Sequence, residues 1–422
     1  MKKLSFLSAV GLMFLSAPSF ATDRFVDASL SEGNGTTLFT NVSAAVEAAE
    51  DGDRIVMTPD IYPEPTIVIS KSLTFIPSDE VSQVGINANF TINADAERDV
   101  KFYNIGFGAY NVTVQNDAGG FNLLFMECQM NVVTINTNSS TSNRSKCHVI
   151  DCQINDELMC DRDGWDVKIV RSRVEDRVYL RYGDVVQSEI NELWLNDEGG
   201  ANIDSDERHS IVQSDIQRFY YYNDNYPVLI ANNSIRHLLF NKFTSDLTDT
   251  QLIVNNEFCR SDVWGNGGEL YFAHNSGHYN IVFANNDLSY DGSPFGESNY
   301  NDISYNCCGN RNYINLNLNA QGFFEFIYNG YPWNFTTPNS GNSLVLTAVA
   351  GPTEGVDGGS PEHQFYDLDL TVNDRGRAGG TWGYDNFPEE GSGKAFIYDL
   401  QIPTDLYPGQ DINLKAKAYH RY

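Results

Sequence analysis

A pattern of six residues recurs nine times along the middle of this chain, between Phe102 and Leu288. It runs apolar, any, polar, small or polar, any, apolar, as in FYNIGF, VIDCQI and IANNSI. Successive copies lie 16 to 30 residues apart, and repetition at such a bounded spacing is typical of a solenoid of stacked coils. The fourth residues of the copies are Ile105, Cys128, Cys152, Ser172, Ser188, Ser214, Asn233, Asn256 and Asn286.

Each copy has the alternation of a strand with one buried face. Its first, fourth and sixth residues are apolar, small or neutral, and its third and fifth are polar or charged. The gaps between copies are too short and too poor in helix-forming residues for an open α/β sheet. Because stacked coils place like on like, we expect Asn233, Asn256 and Asn286 to form an internal amide ladder and Cys128 to lie above Cys152.

The first 21 residues, MKKLSFLSAVGLMFLSAPSFA, have the pattern of a secretory signal peptide: two lysines, an apolar stretch and small residues before a cleavage point. We therefore expect a secreted chain that begins near Thr22. No later stretch offers about 20 consecutive apolar residues, so no membrane span is expected. The formal net charge of −29 would repel nucleic acid and anionic membranes, and it suits cations such as Ca²⁺. The sequence does not indicate an oligomeric state.

The two ends of the solenoid have their own patterns. Residues 41–52 predict a short amphipathic helix with a polar start at Asn41 and a stop at Gly52, which would cap the open first coil. Past Gly309 the composition shifts to Gly, Pro and Asn, and residues 395–422 predict two or three strands. The predicted domains are a signal peptide (1–21), a capped solenoid (22–308) and a C-terminal β-rich completion (309–422).

The segment NVSAAVEAAEDGDRIVMTPDIYPEPTIVISKSLTFIP, residues 41–77, resembles the opening of proteins in the pectate-lyase-like β-helix superfamily. The nine copies resemble the right-handed β-helix repeat family, and DGGSPEHQFYDLDLTVNDRGRAGG, residues 357–380, is similar to a closing motif of secreted bacterial members. The resemblance covers roughly residues 24–308 and implies an all-β fold, a right-handed parallel β-helix. It implies no single activity, because the superfamily includes lyases, hydrolases, esterases, epimerases and adhesins.

No catalytic residue is carried over from this resemblance. The chain lacks the Gly-His-Gly string of polygalacturonase-like hydrolases and the Arg-x-Pro-x-x-Arg string of extracellular pectate lyases. It also lacks G-x-S-x-G, H-E-x-x-H and the phosphate-binding G-x-x-x-x-G-K-[ST]. Candidate functional residues must therefore come from surface geometry.

The strands that follow the copies offer an aromatic column. If VYL, LWL and FYYY bury their flanking residues, Tyr179, Trp194 and Tyr220 point outward on three consecutive coils, where sugar rings could stack. Guanidinium groups beside them would pair with carboxylates of an acidic polysaccharide. We therefore predict an extracellular polysaccharide as the partner. The predicted substrate-binding residues are Arg177, Tyr179, Trp194 and Tyr222.

A lyase that works by β-elimination would need more than binding. It must neutralise the uronate carboxylate and hold a base near the C5 proton. The candidate catalytic residues are Arg181, Arg218, His237 and Tyr220, and the hypothesis requires that Arg181, Arg218 and His237 converge in one groove. The alternative is a non-catalytic surface, adhesion or structural solenoid, in which the aromatics pack under loops and the arginines form a ladder with acids.

Ca²⁺ is the one cofactor that the acidic stretches suggest. Residues 196–207 carry carboxylates at alternating positions, and Asp197, Asp204 and Asp206 are the candidate ligands. A second stretch contains Asp367, Asp369 and Asp374. Neither matches a known calcium loop, and solvated loops are the alternative.

Overall fold

The computed structural model describes residues 21–79, 82–116, 119–139, 143–197, 209–223 and 228–242, and beyond these Asn256 and a set of separate strands. Side chains are described as far as Leu239, apart from those of residues 197 and 223, and for Asn256. Nearly all of the described strands belong to two long sheets.

The first sheet comprises 13 strands within the described part of the chain, and each strand is parallel to its neighbours. In chain order these strands are Asp23–Val26, Leu38–Phe39, Arg54–Met57, Leu73–Pro77, Asp99–Tyr103, Asn122–Met126, Ser145–Ile150, Trp165–Val170, Gly183–Val186, His209–Val212, Val228–Ala231, Gln251–Val254 and Leu270–Ala273.

The second sheet comprises 21 described strands and is parallel up to Ile314–Leu318, where an antiparallel partner joins it. Early coils enter it twice through short strands, the coils between residues 173 and 265 enter it through one strand of eight or nine residues, and short strands return from Ser276 onward. The strands are Ile61–Pro63, Ile67–Ile69, Val84–Asn87, Phe90–Asn93, Ile105–Gly106, Asn111–Gln115, Gln129–Met130, Val132–Ile135, Gln153–Ile154, Leu158–Cys160, Arg173–Leu180, Glu189–Asp197, Asp215–Asn223, Ser234–Lys242, Glu257–Gly265, Ser276–Gly277, Ile281–Asn285, Asp302–Ile303, Ile314–Leu318, Asn334–Thr336 and Ser343–Thr347.

The chain visits the two sheets in turn. From Ser145–Ile150 in the first sheet it passes to Gln153–Ile154 and Leu158–Cys160 in the second, and it then returns to the next level at Trp165–Val170. Long parallel sheets connected in this way are consistent with a parallel β-helix, as the repeat predicts. Within the described residues, no helix is long and apolar enough to cross a membrane.

The core lies between the sheets and is built from the first, fourth and sixth residues of the copies. Phe102, Phe107 and Ile154 are completely buried, and the fourth residues Cys128 and Ser172 are almost so. Phe75, Phe102 and Phe125 stack on consecutive levels, with ring centroids 4.7 and 5.3 Å apart. Parallel register therefore converts a sequence repeat into columns of like side chains, as predicted.

A single helix, Val42–Ala48, lies among the described residues, in the segment where the sequence predicts one. The side chain of Asn41 accepts a hydrogen bond from the backbone N–H of Ala44, which satisfies one free donor at the helix start. Val42, Ala45 and Val46 are buried. The helix ends at Ala48, before the glycine predicted as its stop.

Outside the two large sheets, the described residues form two antiparallel pairs. Ile327–Tyr328 pairs with Tyr331–Pro332, and Ala395–Gln401 pairs with Lys415–His420. The second pair lies in the stretch where the sequence predicts C-terminal strands.

Candidate functional site

The corner between the two sheets is formed by the third residue of each copy. From Asn104 to Asn232, this residue has a positive φ, between 47° and 57°, on seven consecutive coils. The left-handed conformation costs non-glycine residues about 1–2 kcal/mol, and it turns the chain sharply from the first sheet into the second. The residues are Asn104, Glu127, Asp151, Arg171, Gln187, Gln213 and Asn232.

Beneath the corner, the fourth residues form a hydrogen-bonded ladder. The backbone N–H of each fourth residue donates to the fourth side chain of the next coil, because the turn directs that N–H along the solenoid axis and burial requires a partner. The bonds run from Cys152 to Ser172 (3.0 Å), Ser172 to Ser188 (3.1 Å), Ser188 to Ser214 (3.2 Å), Ser214 to Asn233 (2.8 Å) and Asn233 to Asn256 (3.0 Å).

The amide part of this ladder is the one that the sequence predicts. Asn233 Nδ2 donates to Asn256 Oδ1 at 2.9 Å, and both side chains are completely buried. The backbone N–H of Cys128 likewise meets Cys152 Sγ at 3.3 Å, so the two cysteines stack as predicted. Asn286, the third predicted member, lies outside the described residues.

Above the ladder runs a groove of about 680 Å³. Its walls are the outward side chains at the third and fifth positions of six consecutive coils, from Glu127 to Asn232. Coils of parallel strands lie about 4.8 Å apart, so five steps give a length of about 24 Å. Gln83, which precedes the first copy, also lines the groove; the outward lining residues of the six coils are Glu127, Gln129, Asp151, Gln153, Arg171, Arg173, Gln187, Glu189, Gln213, Asp215, Asn232 and Ser234.

Amides and carboxylates dominate the groove, and its two arginines already have partners. Arg171 makes a bidentate pair with Asp151 on the preceding coil, at 2.8 and 2.5 Å. Arg173 pairs with Glu175 at 2.9 Å and lies 3.7 Å from the carboxylate of Glu189. With four carboxylates and two guanidinium groups among its lining residues, the groove carries no excess positive charge.

At the middle of the groove, two amides join neighbouring coils. Gln187 Nε2 donates to Gln213 Oε1 at 2.9 Å. An amide group can both donate and accept hydrogen bonds, so the pair has the chemistry to meet hydroxyl groups of a ligand. Such groups suit a ligand rich in hydroxyls.

The aromatic column lies elsewhere, at the far end of the long strands of the second sheet. Tyr179, Trp194 and Tyr220 occupy one level on three consecutive strands. They are partly exposed, while their neighbours Leu180 and Leu195 are buried. Tyr222 lies beside the column, with its ring centroid 6.0 Å from that of Trp194.

The rings of this column direct their faces at one another. Trp194 and Tyr220 have centroids 4.0 Å apart and an interplanar angle of 19°; Tyr179 and Trp194 are 5.6 Å apart at 23°. Rings this close and this parallel contact each other through their faces. Trp194 therefore presents mainly its edge to solvent, and a sugar ring would have to displace a tyrosine in order to stack on it.

The arginines beside the column are paired with carboxylates of the preceding coil. Arg177 lies 3.2 Å from Glu157, Arg218 lies 2.5 Å from Glu192, and Arg181 contacts both Asp161 and Asp163.

These pairs raise the pKa of all three arginines. For Arg218 the main cause is Glu192; for Arg177 it is the hydrogen bond to Tyr179, followed by Glu157; for Arg181 the aspartates outweigh an opposing effect of burial. Burial, and then Tyr220, also raise the pKa of Tyr222. These directions keep the groups protonated, whereas a general base needs a pKa near the working pH.

The proposed catalytic residues do not all meet. Arg218 and His237 are register partners, and the His237 ring lies 6.5 Å from that of Tyr220. Leu180, Leu195 and Tyr221 share one level, so Arg181 lies one residue beyond that level and Arg218 three residues before it. Four residues of strand span about 13 Å, and the two arginines also lie two coils apart.

The candidate calcium ligands fall where the structure gives no side chains. Asp204 and Asp206 lie outside the described residues, as do Asp367, Asp369 and Asp374, and of Asp197 only the backbone is described. Where side chains are described, the carboxylates of Asp156, Glu157 and Asp176 come within 4.8 Å of one another. Arg177 contacts both Glu157 and Asp176, so a guanidinium group already supplies positive charge there.

Sequence reasoning did not identify the groove as a site. Its residues are the third and fifth positions of the repeat, which the alternation marks only as polar and outward. The signal was present in the amide and carboxylate content of these positions, for example Gln187, Glu189, Gln213 and Asp215.

Comparison of the chain with protein-family models, curated proteins and solved structures gave no match.

Proposed function

We propose that this protein is a secreted solenoid that binds an extracellular polysaccharide along the groove at the corner of its two sheets. The observation that carries the proposal is that the groove offers similar hydrogen-bonding groups on six consecutive coils, as binding of a repeating polymer requires. The left-handed corner and the buried ladder fix the groove floor, so these groups are held in place before a ligand arrives.

The charges favour an uncharged polysaccharide over an acidic one. Both groove arginines are paired with carboxylates, and the chain as a whole carries a formal net charge of −29. An anionic polymer would be repelled at long range and would find no unpaired guanidinium group in the described groove. Amide groups, by contrast, can both donate to and accept from sugar hydroxyls, and carboxylates can accept from them.

The proposal covers binding and assigns no cleavage step. Arg177, Arg181 and Arg218 have raised pKa values, and Arg181 lies apart from Arg218 and His237. β-Elimination at the aromatic column therefore has little support. A second candidate function, a non-catalytic adhesion or display solenoid, is favoured by the face-to-face aromatic column, which reinforces the stack of coils without offering ring faces to a ligand.

We also propose three finer features of the fold: right-handed coiling, a capping helix and membership of the pectate-lyase-like superfamily. Right-handed coiling is supported by the strong preference of parallel crossover connections for that hand. A capping role for helix Val42–Ala48 is supported by its buried residues Val42, Ala45 and Val46. Membership of the pectate-lyase-like superfamily is supported by the opening segment, residues 41–77. A crystal structure with left-handed coils would contradict the proposed right-handed coiling.

The test of the site is a pair of double variants. Gln187→Ala with Gln213→Ala removes the amide pair at the middle of the groove. Asn93→Ala with Gln115→Ala is the matched control, because Gln115 Nε2 donates to Asn93 Oδ1 at 3.0 Å on another face of the solenoid. In affinity electrophoresis with uncharged glucans, mannans and galactans, the wild type and the control should be retarded and the groove variant should not. Equal retardation of both variants would refute the groove as the site.

A further inference from the structure

Asp53 is a buried anion at the beginning of the solenoid. Its side chain is 4% exposed and accepts hydrogen bonds from the backbone N–H of Glu50 at 2.9 Å and from Arg24 Nε at 2.8 Å. A third donor is the backbone nitrogen of Thr22, at 2.8 Å. Burial by itself would raise the pKa of Asp53, but these donors outweigh burial and lower it, so the carboxylate is charged.

Thr22 is held in place by other contacts as well. Its carbonyl accepts from the backbone N–H of Arg54 at 3.0 Å, and the next residue, Asp23, makes a bidentate pair with Arg54 at 2.7 Å. Asp23–Val26 is in parallel register with Arg54–Met57. The nitrogen of Thr22 is therefore fixed against Asp53 by the sheet itself, and the predicted signal-peptide cleavage point is the peptide bond to that nitrogen.

We propose that Thr22 is the mature N-terminus and that its α-ammonium group forms a partly buried ion pair with Asp53. A signal peptidase and one water molecule hydrolyse the Ala21–Thr22 bond: the C–N bond breaks, Ala21 leaves as a carboxylate, and the nitrogen becomes an ammonium group. One neutral N–H donor is thereby replaced by a positive group with three donors, at the same distance from the carboxylate. This inference does not depend on polysaccharide binding.

The pair makes processing a stabilising event with a defined pH dependence. An α-amino group ordinarily has a pKa of about 7.7–8.0, and a buried carboxylate beside it raises that pKa. The folded pKa is then above the unfolded one, so the stabilisation is complete below about pH 7.7 and is lost as the pH rises through the folded pKa. An amide nitrogen at the same position would have no such dependence.

The test compares the mature chain, which begins at Thr22, with the same chain extended by Ala21 alone. Labelling of the terminal amine near pH 7.5, followed by mass spectrometry, should be several-fold slower for the mature chain, because only the unprotonated amine reacts and the ion pair keeps the amine protonated. The extended chain should melt several degrees lower at pH 7, and the gap should close at pH 10.5. Because the extended chain keeps Asp53, this comparison does not require a variant with a substitution in the core to fold.

Two substitutions locate the effect. Asp53→Asn in the mature chain should restore the ordinary labelling rate, whereas Asp23→Asn, which removes the neighbouring but exposed pair with Arg54, should leave the slow rate unchanged. Equal labelling and equal melting of the mature and extended chains would overturn the proposal. An N-terminal sequence of the exported protein that begins at a residue other than Thr22 would also overturn it.

Discussion

Replacement of Asn233 by aspartate tests the buried ladder that supports the groove. The side chain of Asn233 makes three hydrogen bonds: Oδ1 accepts from the backbone N–H of Ser214 at 2.8 Å, and Nδ2 donates to the carbonyl of Ile211 at 2.8 Å and to Asn256 Oδ1 at 2.9 Å. Aspartate has the same shape, so packing is preserved. It keeps the acceptor, loses both donors and places a negative oxygen against two acceptor oxygens.

The expected loss of stability follows from those two bonds. Each lost bond to a buried acceptor costs about 1–3 kcal/mol, so the loss of both should cost about 2–6 kcal/mol. The carboxyl can reduce this cost by taking up a proton, which restores one donor, and burial raises its pKa. With the folded pKa above the unfolded value, the variant should be least stable near pH 7 and should regain about 1–2 kcal/mol as the pH falls toward 4.

The assay is urea unfolding of the mature protein, followed by tryptophan fluorescence, with wild-type curves recorded at each pH. Asn111→Asp is the matched control, because Asn111 is exposed and its side-chain oxygen already serves as an acceptor for Asn131. It should change stability by less than about 0.5 kcal/mol. The reasoning is refuted if Asn233→Asp matches the wild type at pH 7, or if its loss of stability is the same at pH 4 and pH 7.

Three further predictions concern other parts of the solenoid. The pKa of His148 is lowered to about 4, mainly by burial and then by Lys168 and Lys146. Because unfolded histidine titrates near 6.5, the free energy of unfolding should fall by up to about 3 kcal/mol as the pH drops from 6.5 to 4. Urea-unfolding curves of His148→Gln should not show this loss. Glu127 has a φ of 56°, so Glu127→Gly should be more stable than Glu127→Ala by about 1 kcal/mol; the opposite order would rule out strain at the corner. Trp194→Ala should lower stability by about 2–3 kcal/mol, because two stacked tyrosines lose their partner. The retardation of this variant by glycans in gels should stay unchanged. Loss of retardation would indicate that the glycan binds at the aromatic column.

Much of the fold could be predicted from the sequence, because the repeat shows both which positions of a copy are buried and which positions of different copies are stacked. Phe102, Ile105 and Phe107 mark the buried positions of a copy, and the copies mark each other's level. The prediction that a copy forms one strand was wrong, because each copy crosses the corner from the first sheet to the second at its third residue. The serine and asparagine positions also predict part of the ladder, since a buried amide such as Asn233 requires a partner in the stack. The left-handed corner could not be predicted, because Glu127, Arg171 and Gln187 are not residues that favour a positive φ.

The site depends on features that no local pattern records. The arginine partners on the preceding coil lie 18 to 26 residues away, as in Arg181 with Asp163 and Arg218 with Glu192, so pairing depends on register between coils of unequal length. Alternation predicts that Trp194 points outward, but side-chain torsions decide whether its face or its edge meets solvent. The groove exists because the corner bends two polar rows toward one another, and that bend is a property of the stack.

The most direct test of the central claim is the dependence of binding on ligand length. Uncharged oligosaccharides of increasing length would be titrated into the mature protein by calorimetry, beside acidic oligosaccharides of the same lengths, with absorbance of unsaturated products recorded in parallel. The account predicts that affinity for an uncharged series rises with length until the ligand fills the groove of about 24 Å, then levels off, without cleavage. No binding by any uncharged series, or preferred binding and cleavage of an acidic one, would contradict it.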